Sequence, residues 1–286
     1  MKNERIINIL RVLIFTALAW GLMNLFLKLF PDLTMKNSLL FMSTPLFAHV
    51  ITRLLTRDKT DTKGLFLHLE FENKLKYYIW TFLYPVVVSL VSSLLIIFRY
   101  ADNYRLSEQL GNGRWKEFLI MIFFSLGHSV FMFYICLGEE YGWRAYLTPK
   151  LESLMPEPLA LILSGCIWGI WHAPLIRDMG LNFGTGYKFF PYAGYIAMCV
   201  CCIFTGAFLT WLTRRTESIY PAAICHTIID TLSIVNYLVP EKILEKSEKT
   251  GQFAFNFACL YMLGDILIGA VFFVILCLER RDKKDI

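Results

Sequence analysis

Residues 253–278 read FAFNFACLYMLGDILIGAVFFVILCL, and this run of 26 residues contains one charged side chain, Asp265. About 20 mostly apolar residues in an α-helix are enough to cross a hydrocarbon core of roughly 30 Å. The run can therefore span a bilayer as one helix. The whole chain of 286 residues is 56% hydrophobic and only 18% charged. This composition predicts an all-α, polytopic membrane helix bundle rather than a soluble domain.

Seven further apolar runs precede this one, and polar connections separate them. We find no internal repeat, and we expect a single membrane domain over residues 1–286 with about eight transmembrane helices. The second and fifth runs are short for a full crossing. The predicted spans cover about residues 6–30, 38–56, 77–98, 117–138, 158–173, 190–212, 220–239 and 253–278.

The charge and the cysteines exclude several classes of protein. The net charge of +5 comes from 28 Lys and Arg against 23 Asp and Glu, a small excess that sits in short loops, so we expect no nucleic-acid partner. All eight cysteines fall within apolar runs. They predict neither a disulfide framework nor a cysteine-based metal site.

Basic residues predict the orientation in the membrane. Eight spans place both termini on one side, and Lys and Arg are enriched in cytoplasmic loops. With cytoplasmic termini, eleven Lys and Arg lie in the outer loops, Arg11 lies within the first span, and sixteen lie inside. We therefore expect an integral membrane protein with both termini cytoplasmic. The sixteen are Lys2, Arg5, Arg53, Arg57, Lys59, Lys63, Lys74, Lys76, Arg144, Lys150, Arg214, Arg215, Arg280, Arg281, Lys283 and Lys284.

Three predicted spans carry ionisable residues. Such groups are costly at membrane depth, and they usually mark functional sites. The segments are residues 138–144 (GEEYGWR) at the inner end of the fourth span, 168–172 (WGIWH) in the fifth, and 226–230 (HTIID) in the seventh.

The first segment contains two adjacent carboxylates with different surroundings. Residues four apart on a helix are neighbours, so Glu140 faces Arg144, which can neutralise and orient it. Glu139 is rotated by about 100° from Glu140 and has Trp143, not a base, four residues on. Glu139 is therefore the carboxylate available for chemistry. The competing interpretation is an interfacial Glu-Glu-Arg patch that anchors the helix end.

The other two segments supply imidazoles. His226 and Asp230 are four apart and project from one helix face, where a donor at His226 could stabilise an oxyanion or the pair could lock helix packing. His172 ends an aromatic segment, and a single histidine in an apolar helix is more often a packing residue. Acid, base and donor groups on three separate spans together favour an active site.

These segments resemble a known family. Glu139 and Glu140 with Arg144 look like the EExxxR motif of the CPBP (Abi) family of intramembrane proteases. His172 resembles the histidine of the FxxxH motif of that family. The family includes CAAX prenyl endopeptidases of the Ras-converting type and bacterial proteins linked to bacteriocin immunity and peptide processing.

The third motif completes the resemblance, with one departure that bears on mechanism. His226 with Asp230 looks like the HxxxN motif, and the three motifs follow in the family order within about residues 117–239, the predicted catalytic core. Trp168 stands where the family usually has Phe, a swap that should preserve a cavity wall. Asp230 stands where many members have Asn, and an ionised Asp cannot donate a hydrogen bond. Asp230 is therefore expected either to stay neutral or to orient His226.

The resemblance implies an intramembrane endopeptidase. Glu139 is then the general base that activates water, with His172 beside it, and His226 with Asp230 holds the tetrahedral oxyanion. Glu140 and Arg144 set the geometry of the first motif.

The implied partners are the lipid bilayer and a membrane-anchored or amphipathic peptide, prenylated or of the leader or bacteriocin type. The substrate is expected to approach from the lipid or the cytoplasmic face. The expected location is a bacterial cytoplasmic membrane.

Three alternatives stay open. No cofactor is expected, but Glu139, His172 and His226 would make a plausible catalytic zinc set, although the chain lacks an HExxH motif. A non-enzymatic bacteriocin-immunity or peptide-binding membrane protein could use the same polar cluster for recognition. A proton-coupled transporter could use Glu139, His128, His172 and Asp265 as a relay, but we find no inverted repeats in the sequence.

Overall fold

The computed structural model of the protein describes residues 2–32, 34–61, 63–69, 71–111, 113–232, 234–249 and 251–279, and all regular structure in these ranges is helical. The helices in the first part of the chain are α1 (Lys2–Leu29), α2 (Met35–Met42), α3 (Thr44–Thr56), α4 (Leu75–Tyr100), α5 (Leu106–Gln109) and α6 (Arg114–Met132). The middle of the chain contains α7 (Tyr134–Gly142), a π-helical turn (Trp143–Leu147), α8 (Thr148–Glu152), α9 (Glu157–Trp171) and α10 (Ala173–Met179). The last part contains α11 (Tyr192–Thr216), α12 (Tyr220–Thr231), α13 (Val235–Leu238), α14 (Glu241–Ser247) and α15 (Gln252–Leu278).

Seven segments of the described chain are long and apolar enough to span a membrane. They agree with seven of the eight predicted spans, and the prediction of an all-α polytopic bundle is confirmed. The seven are Glu4–Leu29, Asn37–Thr56, Leu75–Tyr100, Arg114–Met132, Glu157–Met179, Tyr192–Thr216 and Gln252–Leu278.

The predicted seventh span, residues 220–239, is shorter than expected. Its helix, α12, has 12 residues, about 18 Å at 1.5 Å per residue, and ends where Leu232 adopts an extended conformation. The apolar residues beyond it, including Val235 and Leu238, pack against Ile96 and Ile97 of α4. Their hydrophobicity reflects burial of a loop and a short helix against α4, not continuation of a membrane helix.

Both ends of the described chain lie at the same end of the bundle. Asn8, Ser153, Arg214 and Glu279 line one cavity there, and we call this the terminal end. Residues 280–286, with four of the predicted inner basic residues, lie outside the described chain.

Contacts between loops define the opposite end. The Thr185 carbonyl accepts a hydrogen bond from the Gly251 N–H (2.7 Å), and the Gln109 side chain donates to the Tyr237 carbonyl (3.2 Å). The connections before α6, α11 and α15 therefore meet away from both chain ends.

Small residues bring α9 against α11. A Cβ on Gly165 would lie 2.4 Å from Ile203 Cα, and a Cβ on Gly169 would lie 2.5 Å from Cys199 Cα. Close backbone approach at small residues is typical of membrane helix pairs. This contact fixes α9 in the bundle and so positions Trp168 and His172 at its end.

Candidate active site

A cavity of about 560 Å³ lies inside the bundle, where α7, α9, α11, α12 and α15 face one another. Its lining includes four of the six predicted site residues, Glu139, His172, His226 and Asp230. The structure therefore brings the three sequence motifs to one place, although they are separated along the chain. Glu140 and Arg144 are buried behind the wall of this cavity.

The cavity extends toward the opposite end of the bundle. Ser38, Asn182 and Ser247, which lie in that part of the molecule, also line it. Apolar and aromatic side chains form most of the remaining wall, including Phe41, Trp171 and Phe257. The cavity therefore has a largely apolar wall, with a few polar groups between the four motif residues and the opposite end of the bundle.

Two indole groups hold Glu139 in place. Trp168 Nε1 donates to Glu139 Oε2 at 2.7 Å, and Trp143 Nε1 donates to the same oxygen at 3.2 Å. Glu139 is only 2% exposed, and its Oε1 accepts no hydrogen bond from any residue that the structure describes. One carboxylate oxygen is therefore anchored, and the other is available to a molecule in the cavity.

Glu140 connects Arg144 to His226. Arg144 Nε lies 3.1 Å from Glu140 Oε2, an ion pair by distance whose angle is not that of a hydrogen bond. Glu140 Oε1 lies 2.8 Å from His226 Nδ1. The predicted pairing of Glu140 with Arg144 is present, and the sequence did not reveal that the same carboxylate orients His226.

The guanidinium of Arg144 also contacts an aromatic face. Its Cζ lies 4.1 Å from the centroid of a Trp168 ring, within the range of a cation–π interaction. Its Nη1 and Nη2 have no hydrogen-bond partner among the described residues. Trp168 therefore has two contacts at once, with Arg144 through its ring and with Glu139 through its N–H.

His172 lies at the junction of α9 and α10. Pro174 occupies the first turn of α10 and has no N–H to donate to the preceding turn, so α9 ends at Trp171 and α10 begins at Ala173. His172 Nδ1 lies 2.9 Å from the Trp168 carbonyl oxygen. A carbonyl only accepts, so Nδ1 carries the proton and a neutral His172 has a free lone pair on Nε2.

Asp230 lies beside His226 without a direct hydrogen bond. His226 Nε2 and Asp230 Oδ2 are 3.8 Å apart, beyond hydrogen-bond distance. The side chain of Asp230 is 46% exposed and faces the cavity. Cys136 Sγ donates to Asp230 Oδ2 at 3.6 Å. His226 and Asp230 both line the cavity, so each can contact a ligand there.

The zinc alternative fits this arrangement poorly. In the described part of the chain, the metal-type ligand atoms that lie within 4.8 Å of one another belong to Cys136, His226 and Asp230. The set Glu139, His172 and His226 does not meet this distance. The ligand atoms of these three residues therefore do not converge on one point, and we derive no step through a metal.

Sequence reasoning missed or misjudged four residues at the site. The position of Trp143, four residues after Glu139, could have predicted its hydrogen bond, whereas the contact of Trp168 with Glu139 joins two helices and has no local signal. Cys136 was assigned only to an apolar run. Asp265, which had no identified partner, lines the same cavity.

The cavity is lined by the anchored carboxylate of Glu139, the imidazole of His172, and the imidazole of His226, which is paired with Glu140. Such groups around one cavity form a site of the type used for hydrolysis. Residues 119–232 match the family model described as type II CAAX prenyl endopeptidase, Rce1-like. All six predicted site residues lie in this segment, and the recognition made from the three motifs is confirmed for it.

A curated relative also matches part of the chain. The CAAX prenyl protease 2 of Methanococcus maripaludis is 32% identical over 95 residues, which is 32% of this chain and 34% of the relative. The aligned part is therefore about a third of the length of that relative.

Proposed function

We propose that the protein is an intramembrane endopeptidase that hydrolyses a peptide bond of a membrane-anchored or amphipathic peptide. The observation that carries this proposal is the geometry of Glu139, whose Oε2 is held by two indole N–H groups and whose Oε1 is unpartnered among the described residues. The Rce1-like segment supports a protease of the CAAX type. A general base needs a defined position and a free lone pair, and Glu139 has both.

In the proposed reaction, Glu139 and His172 activate one water molecule. Glu139 Oε1 removes a proton from the water, and the lone pair on His172 Nε2 accepts a hydrogen bond from the other water hydrogen. The water oxygen bonds to the carbonyl carbon, and the carbonyl π electrons move to its oxygen. Glu139 then delivers its proton to the amide nitrogen, the C–N bond breaks, and an acid and an amine are released.

His226 is the proposed donor to the oxyanion. Its Nδ1 proton is directed to Glu140, so Nε2 can donate only when the ring is an imidazolium. Carboxylates on both sides, Glu140 and Asp230, favour that positive charge. In this arrangement Asp230 need not donate, which accounts for an acidic residue where the family often has Asn.

The lining of the cavity and the Rce1-like segment support this substrate class. An apolar, aromatic wall suits a peptide that is already in the bilayer, and prenylated peptides and leader or bacteriocin-type peptides both meet this description. Comparing membrane peptides by mass spectrometry between cells with the wild-type protein and cells with Glu139→Ala tests the proposal. We expect a peptide that accumulates uncut only in the variant. A phenotype that depends on the protein but is unchanged in Glu139→Ala, with identical peptide profiles, would favour the non-enzymatic alternative.

We also propose that the terminal end of the bundle is cytoplasmic, because most of the Lys and Arg lie there. In this orientation the polar lining near Asn182 and Ser247 faces the other side of the membrane, and a cytoplasmic substrate would enter between helices through the lipid. Labelling Lys59→Cys and Lys188→Cys in intact cells with a membrane-impermeant thiol reagent tests this orientation. We expect labelling above the native background only at position 188, and the reverse pattern would show the opposite orientation.

A further inference from the structure

Asp265 is a buried carboxylate that the proposed reaction does not use. It lies near the middle of α15, is 4% exposed and lines the cavity that contains Glu139. Thr205 lines the same cavity. Its Oδ1 has no hydrogen-bond partner among the described residues. An ionisable group at this depth costs free energy to bury, and such groups usually mark a functional site.

The backbone around Asp265 is held against α4. A Cβ on Gly264 would lie 2.2 Å from Ser92 Oγ and 2.7 Å from the Val88 carbonyl oxygen, so only glycine allows this approach. Ser92 Oγ donates to the Tyr261 carbonyl oxygen at 2.5 Å. Asp265 therefore has a fixed position in the cavity wall, as a recognition group requires.

The charges of the cavity indicate what Asp265 would bind. Its described lining contains three carboxylates, Glu139, Asp230 and Asp265, and two imidazoles, His172 and His226, but neither Lys nor Arg. His226 is directed to Glu140 and lies beside Asp230, whereas no described cation contacts Asp265. A buried carboxylate that has no cationic partner is stabilised when a ligand supplies a cation.

We infer that Asp265 is a specificity-determining residue that binds a cationic group of the substrate peptide, namely a Lys or Arg side chain or a free amine near the scissile bond. The inference rests on the proposed protease function and narrows its substrate class. A charge-assisted hydrogen bond to a partly desolvated carboxylate commonly changes affinity by about 10-fold or more.

The test uses the purified full chain in phosphatidylcholine vesicles, because a zwitterionic surface does not itself attract lysine. The probes are prenylated peptides with a neutral fluorophore, identical except for Lys or norleucine at one position, which is moved along the residues that flank the prenylated cysteine. Cleavage is measured for wild type, Asp265→Asn and Asp265→Glu. Binding is measured for Glu139→Gln and for the double variant Glu139→Gln, Asp265→Asn.

We expect at least one position at which wild type prefers Lys about 10-fold or more, with Asp265→Asn losing this preference and Asp265→Glu retaining it. Unfolding curves show whether Asp265→Asn is folded, and each variant is judged by the ratio of its cleavage rates on the Lys and norleucine peptides, not by its absolute rate. A Lys preference that is unchanged in Asp265→Asn, or absent at every position, would overturn the inference. If no peptide is cleaved, the binding series still decides the role of Asp265, and only the proposed protease function fails.

Discussion

The indole N–H of Trp168, on α9, donates a hydrogen bond of 2.7 Å to the carboxylate of Glu139, on α7. This bond joins the second sequence motif to the first and uses a nitrogen that phenylalanine lacks. The large aromatic residue at this position is therefore more than a cavity wall, because it fixes which oxygen of Glu139 faces the cavity.

The first prediction concerns this bond. Trp168→Phe removes the N–H and keeps an aromatic ring, so we expect kcat to fall about 10- to 100-fold with little change in KM. Steady-state kinetics in vesicles measures this effect. The matched control is Trp171→Phe, because Trp171 Nε1 donates to Thr44 Oγ1 (2.9 Å) and not to Glu139. Equal losses of kcat in the two variants would mean that the bond to Glu139 has no special role.

The second prediction concerns the buried ion pair. Arg144→Gln leaves Glu140 with His226 alone, and removing one partner of a buried pair typically costs about 3–5 kcal/mol. We expect a loss of this size in unfolding by SDS in mixed micelles, followed by near-UV circular dichroism. Arg215→Gln is the control, since Arg215 pairs with Glu279 on a partly exposed surface and should cost about 1 kcal/mol or less. A similar cost for both variants would show that burial of the Glu140 pair is unimportant.

The third prediction concerns Asp58, in the connection after α3. Asp58 Oδ2 lies 2.8 Å from Lys150 Nζ and 3.2 Å from Arg11 Nε, and Thr60 Oγ1 donates to Oδ1 at 2.6 Å. Burial would raise the pKa of Asp58, but the ion pair with Lys150 and the hydrogen bonds from Thr60 outweigh it and hold the pKa well below its ordinary value. A carboxyl of this kind stabilises the fold above its unfolded pKa of about 4 and loses this contribution as the pH falls toward the folded pKa.

We therefore expect Asp58→Asn to be less stable than wild type by about 1–3 kcal/mol at pH 7. The difference should be constant from pH 7 to pH 5 and about 1 kcal/mol smaller at pH 3. Unfolding curves at these pH values measure it. The exposed Asp61, whose carboxylate accepts from the Gly64 N–H, provides the control variant Asp61→Asn. A difference between wild type and Asp58→Asn that is independent of pH would contradict the assignment.

The fourth prediction concerns metal dependence. Because the ligand atoms of Glu139, His172 and His226 do not converge on one point, we expect peptide cleavage to persist at about the wild-type rate after treatment with a strong chelator. Cys136→Ser, which changes one member of the Cys136, His226 and Asp230 group, should also stay active. Loss of cleavage on chelation, restored by added zinc, would establish a metal mechanism instead.

Local sequence patterns were sufficient for the fold class and for contacts within one helix. Long apolar runs predict membrane helices, and a spacing of four residues predicts the contact of Glu140 with Arg144. The convergence of the three motifs came from the family resemblance. Contacts between helices, such as Trp168 with Glu139 and Glu140 with His226, depend on helix packing that no local spacing specifies.

The misjudged seventh span has a related cause. Hydrophobicity reports burial without saying whether lipid or protein covers the residue, so Val235 and Leu238, which pack against α4, were counted as membrane helix. The sequence also does not indicate the surroundings of Asp265, because these depend on which cavity the middle of α15 lines.

The central claim is that Glu139 activates water in the cavity. The most direct measurement is the cleavage rate of a prenylated peptide by purified wild type and Glu139→Gln in vesicles, with unfolding curves for both proteins. Gln keeps the size of the side chain but has no carboxylate to act as a base, so we predict a rate loss of about 10²- to 10⁴-fold with near wild-type stability. Cleavage by a folded Glu139→Gln variant within a few-fold of the wild-type rate would contradict the claim.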